Sequence, residues 1–105
     1  MTHCTKTVQA TTWFSRLKGL LATSREEWLD KELAISPCRT IHTIAMNYPL
    51  DIAFYDRNSI VLTVHRSIKP NRVIRGPRAT YGAIERVAQD RAWYQVGETC
   101  KGEYL

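Results

Sequence analysis

The 105-residue chain has no acidic residue between Arg57 and Ile84, no Cys-x-x-Cys pair and no long apolar run. Without some 18 consecutive apolar residues, no membrane-spanning helix is expected. The opening residues Met1–Lys6 contain no apolar stretch, so no signal peptide is expected and the cytoplasm is the anticipated compartment. Cys4, Cys38 and Cys100 are odd in number and widely spaced, which argues against a disulfide framework or a structural zinc site and for thiols in a reducing compartment. Glycine and proline are sparse, at 5 and 4 residues, and they mark turns rather than a low-complexity tract. No repeat or linker divides the chain, so one domain covering residues 1–105 is expected.

What is present is a β-prone pattern. Thr5, Thr7 and Val8 suggest an opening strand over residues 1–10. Trp13, Leu17, Leu20 and Leu21 form a helical stripe, and Ser24-Arg25-Glu26-Glu27 fits a capping box for a second short helix. Leu33-Ala34-Ile35 reads as a short strand closed by Pro37. Thr40–Met46 is β-prone, and Asp51–Tyr55 reads as a buried strand. The turn cluster Asp56-Arg57-Asn58-Ser59 joins it to Ile60–His65, where Ile60, Leu62 and Val64 alternate with Val61, Thr63 and His65. Val73-Ile74 and Thr80–Val87 add strands, Gln89–Gln95 suggests one or two helical turns ended by Gly97, and Thr99–Tyr104 suggests a last strand. The expected fold is mainly β, a β-rich α+β chain forming a small antiparallel β-barrel or sandwich-like domain with one or two short helices.

Several blocks, in order, carry a family likeness. Arg16-Leu17-Lys18-Gly19-Leu20-Leu21, Pro37-Cys38-Arg39-Thr40-Ile41-His42-Thr43, Met46-Asn47-Tyr48-Pro49-Leu50-Asp51-Ile52-Ala53-Phe54 and Val96-Gly97-Glu98 resemble the successive blocks of the DUF192 (UPF0127) family, with Glu85 as the acid of a further block. The resemblance implies a compact, mostly β fold with short helices. It implies no activity, because that family is one of unknown function. Three positions depart from the pattern: Gln89 replaces a turn glycine, Tyr55 replaces an aliphatic residue, and Ser59 beside Asn58 replaces the glycine of the hairpin turn, where Asn58 can adopt positive φ.

The segment from Cys38 to Asp51 gathers reactive side chains. Cys38, His42 and Met46, spaced by four, are soft-metal ligands in type, but an extended chain separates the first from the last by about 27 Å at ~3.3 Å per residue. Core filling is the simpler role for Cys38 and Met46, and no resident metal or cofactor is expected. Cys38, His42 and Asp51 match a nucleophile, base and orienting acid, which makes a Cys/His-dependent hydrolase-like or transferase-like enzyme the alternative function. Asp51 has a competing structural role, accepting backbone amides or pairing with an arginine such as Arg16.

The charge is lopsided. Residues 1–56 carry six Lys/Arg and six Asp/Glu, whereas residues 57–105 carry nine and four. Arg66, Lys69, Arg72, Arg75 and Arg78 recur at every third position, the period of a polyproline-II helix, which would align them along one edge. Such a row is a footprint for an anionic ligand or an acidic protein, with Tyr81 near enough to stack. Nucleic acid is a weaker expectation, since no RNP, KH or zinc-finger pattern accompanies the row. The favoured function is therefore a small binding or accessory module whose ligand-facing residues are His42, Asn47, Arg66, Lys69, Arg72 and Arg75.

Overall fold

A computed structural model describes residues 7–9, 32–43 and 48–100. Among these residues there are seven strands: β1 (Thr7–Gln9), β2 (Leu33–Ser36), β3 (Thr40–His42), β4 (Leu50–Tyr55), β5 (Val61–Ile68), β6 (Val73–Arg75) and β7 (Gly82–Val87). They form a five-stranded sheet in the order β1-β2-β7-β4-β5 and a two-stranded ribbon, β3-β6. β1 runs parallel to β2, and every other pairing is antiparallel.

The sheet is covered on both faces, which is why its central strands read as continuous apolar runs rather than as alternating ones. Every residue of β4 and β7 is buried. On the first face, Leu50, Ile52 and Phe54 of β4 join Leu33, Ile35, Ala83 and Val87, and the ribbon covers them with Ile41 and Ile74. On the second face, Ala53 and Tyr55 join Ala34, Val61 and Ile84, covered by Trp93, Tyr94 and Cys100 from the segment after β7. The fold is thus mainly β, as the sequence implies. The two sheets do not close into a barrel, because the ribbon pairs only with itself and lies over one face.

The hairpin from β4 to β5 forms where expected, but two register shifts break its alternation. Phe54 pairs with Thr63 while Tyr55 pairs with Val61, leaving Leu62 as an extra residue. Val61 and Val64 therefore share the second face, and Thr63 and His65 share the first. In the turn, the Asp56 carboxylate accepts the amides of Asn58 and Ile60 at 2.8 and 3.0 Å. Ser59, not Asn58, takes the left-handed conformation, at φ 65°.

Residues 88–95 contain no helix, contrary to expectation. Carbonyls that a helix would need as acceptors are taken by arginine side chains: Gln89 and Arg91 by Arg66, and Arg91 and Ala92 by Arg86. Gly97, at φ 91°, serves a tight turn in which the Glu98 amide donates to the Gln95 carbonyl. Thr99 makes a single bridge to Ile60. The helices expected from Thr12 and Ser24, and residues 101–104 of the last strand, lie outside the described residues.

Candidate functional site

Asp51 is fully buried, and both of its carboxylate oxygens are held. The second register shift of the hairpin falls opposite it, so that Arg66 and Ser67 together face this one residue. Ser67 sits at φ 52° and donates its amide to Asp51 Oδ1 at 2.9 Å. Arg66 Nε reaches the same oxygen at 3.2 Å. On the other side, Arg86, the register partner of Asp51 in β7, donates Nε to Oδ2 at 2.9 Å. The Arg86 guanidinium also lies 4.5 Å from the centroid of the Trp93 ring, which closes it off from water. The structural role anticipated for Asp51 is realised with Arg86 and Arg66. Neither Cys38 nor His42 is among its partners, so the described structure does not assemble the three into a catalytic set.

Next to this cluster Glu32 is buried and accepts the Tyr94 hydroxyl at 3.1 Å. Burial, and then the Glu32 carboxylate, push the Tyr94 hydroxyl far above the ordinary phenol range. The Cys100 thiol is pushed up to about 12, first by burial and then by Glu32, Glu98 and Asp56. Both groups are thereby held in the protonated form at neutral pH.

Cys38 is half-buried against the first-face core, with its thiol 3.4 Å from the Thr40 carbonyl. His42 sits at the end of β3, on the outer face of the ribbon. The ribbon register sets Thr40 against Arg75, Ile41 against Ile74 and His42 against Val73. Since Ile41 and Ile74 face the core, the outer face carries Thr40, His42, Val73 and Arg75. Thr43, which is fully buried and passes unnoticed in the sequence, fixes the turn leading into β6. Its hydroxyl donates to the Lys69 carbonyl at 2.8 Å and accepts the Arg72 amide at 2.8 Å. Met46 and Asn47 lie outside the described residues. Among the described residues no three His, Cys, Asp or Glu side chains are gathered for a metal ion.

The five cations do not form one row. Arg66 turns inward to Asp51 and to the carbonyls of Gln89 and Arg91. Arg78 lies at the other end, in a cleft of about 410 Å³ shared with Asp56, Arg57, Asn58, Ala79 and Thr80. Lys69, Arg72 and Arg75 are exposed along the turn and β6, and no described carboxylate pairs with any of them. The strand pairing, rather than a polyproline helix, sets their positions.

The sequence also gives no warning of His65. It faces the first-face core, with its ring edge-on to Phe54 at 5.9 Å and its Nε2 buried without a hydrogen-bond partner. Burial lowers its pKa below the ordinary imidazole value. The unfolded chain, with a histidine pKa of about 6.5, then binds more protons than the folded one. Stability is therefore full above about pH 6.5 and falls as the pH drops from there toward the depressed folded value. In urea titrations at pH 7.5 and 5.5, the midpoint of the unmodified protein should fall further than that of His65→Phe. Equal declines would remove His65 as the cause.

The fold has a solved counterpart. A crystal structure of a protein of unknown function from Novosphingobium aromaticivorans matches with a TM-score of 0.62 at 19% identity, over 78% of this chain and 62% of that one. The likeness establishes the fold alone, and the chain spans about 62% of the length of that neighbour. No family model matches the chain, and no curated protein matches it. Among the described residues no helix is long and apolar enough to cross a membrane.

Proposed function

We propose that the protein is a binding module for an anionic ligand, which it holds on the outer face of the β3-β6 ribbon. The observation that carries this is the ribbon register: it joins His42 and Thr40 to Val73 and Arg75, beside exposed Lys69 and Arg72 that no described acid neutralises. Uncompensated cations on one surface raise the local concentration of anions and make binding depend on salt. Arg66 is excluded from the contact set because its guanidinium is committed to Asp51. The thiols of Cys38 and Cys100, not joined in a disulfide, fit a reducing compartment such as the cytoplasm. The ordered blocks in Arg16–Leu21, Pro37–Thr43 and Met46–Phe54 support reading the chain as a relative of the DUF192 proteins, a kinship that supplies no activity.

Inorganic polyphosphate is a suitable probe. The logarithm of its affinity should fall linearly with the logarithm of salt concentration, and each cation removed should reduce that slope by about 1. The variant Lys69→Ala/Arg72→Ala/Arg75→Ala should lose most of the binding, while Arg66→Ala should lose little. Undiminished binding by the triple variant, or salt-independent binding by the parent, would refute this assignment.

A further inference from the structure

Among the described residues the ribbon has two strands, so β6 has an edge that none of them covers. Its hydrogen-bond pattern says which groups line that edge. The Thr43 amide donates to the Arg72 carbonyl at 2.9 Å, and the Gly76 amide donates to the Arg39 carbonyl at 2.7 Å. Antiparallel strands alternate bonded and non-bonded pairs, so Ile41/Ile74 is the bonded pair between these two. His42/Val73 and Thr40/Arg75 are the non-bonded pairs. The amides and carbonyls of Val73 and Arg75 therefore point away from β3, along the open edge, and no described residue bonds them.

Two further observations bear on what would fit there. Val73 is 57% exposed, one of two large hydrophobic side chains so exposed among the described residues. Lys69, Arg72 and Arg75 lie near it along the turn and β6, all exposed. Edge cations repel a like-charged strand, so a second copy laying β6 against β6 would oppose these side chains with their own counterparts. An acidic strand reverses the sign of that interaction.

We propose that the open edge of β6 accepts an extended acidic peptide segment as an added strand. The backbone of the segment bonds the outward amides and carbonyls of Val73 and Arg75, an apolar side chain rests on Val73, and its carboxylates meet Lys69, Arg72 and Arg75. This rests on the anion-binding reading and names its partner: a protein segment, recognised through its backbone as well as its charge.

The test uses the whole chain and an end-blocked seven-residue peptide of glutamates around one central valine, read by fluorescence anisotropy at low salt. Two further versions carry N-methyl groups on one or the other alternate set of amides. An added strand bonds through one edge only, so one methylated peptide should bind roughly tenfold more weakly and the other as the parent does. Val73→Pro, which deletes an edge amide, should weaken the peptide by a similar factor, with circular dichroism confirming the fold. Identical affinities for the two methylated peptides would overturn strand addition, as would a dimer in sedimentation that Val73→Pro abolishes. If polyphosphate also fails to bind the unmodified protein, the anion-binding reading falls as well, and the two failures remain distinct.

Discussion

Asp51→Ala should lower the unfolding free energy by about 3–5 kcal/mol, the cost of leaving one partner of a buried ion pair uncompensated. Asp51 is completely buried, and the Arg86 side chain is 2% exposed. The variant leaves the Arg86 guanidinium with two carbonyls and the Trp93 face, and it strips the bulge amide of Ser67 of its acceptor. Asp51→Asn, which keeps the shape and drops the charge, should fall between the parent and Asp51→Ala. Arg66→Ala should cost far less, because the Arg66 side chain is 44% exposed and water screens its pairing. Guanidinium titrations of the three variants decide the matter. A loss below about 1 kcal/mol for Asp51→Ala would mean that the cluster is not the anchor described here.

Gly82→Ala should be nearly as damaging, at about 3 kcal/mol, the upper end of the range for overpacking. A methyl group at this position would drive into the Tyr55 ring and come within 2.7 Å of the Ile35 carbonyl oxygen. The ring is itself fixed, with its hydroxyl buried and pushed up to about 12 by that burial. Because ring and backbone both obstruct, Tyr55→Leu should recover only part of the loss. A double-mutant cycle should show Gly82→Ala costing less in the Tyr55→Leu background than alone. Simple additivity would show that Tyr55 is not what the methyl meets.

Local patterns in the sequence led to the right strands wherever short-range chemistry decides. Leu50–Tyr55 followed by the Asp56–Ser59 turn could be read as a hairpin because each step is local. The register within it could not, since the shifts opposite Asp51 and at Leu62 depend on where the partner strands lie. Arg86 carried a usable signal: the buried run Gly82–Val87 holds a cation beside Glu85, the buried run Leu50–Tyr55 holds Asp51, and buried opposite charges need each other. The helix expected over 89–95 does not form: Arg86 from the preceding strand and Arg66 from the β4-β5 hairpin claim its carbonyls, an effect that helical propensity does not contain. The pairing of β3 with β6, which sets His42 against Val73 while Arg66 turns inward, was not legible, because it joins segments far apart in the chain.

The strand order has a consequence for biosynthesis. β7 lies between β2 and β4, yet it is the last of the seven strands to be made. Until Val87 has emerged from the ribosome, β2 and β4 each present a bare edge with no neighbour to fill it. Pairings between such distant segments form slowly, and bare edges invite the wrong partner meanwhile. The nascent chain is therefore most vulnerable to mispairing in the interval between synthesis of β4 and arrival of β7, when the β4-β5 hairpin stands with its inner edge open.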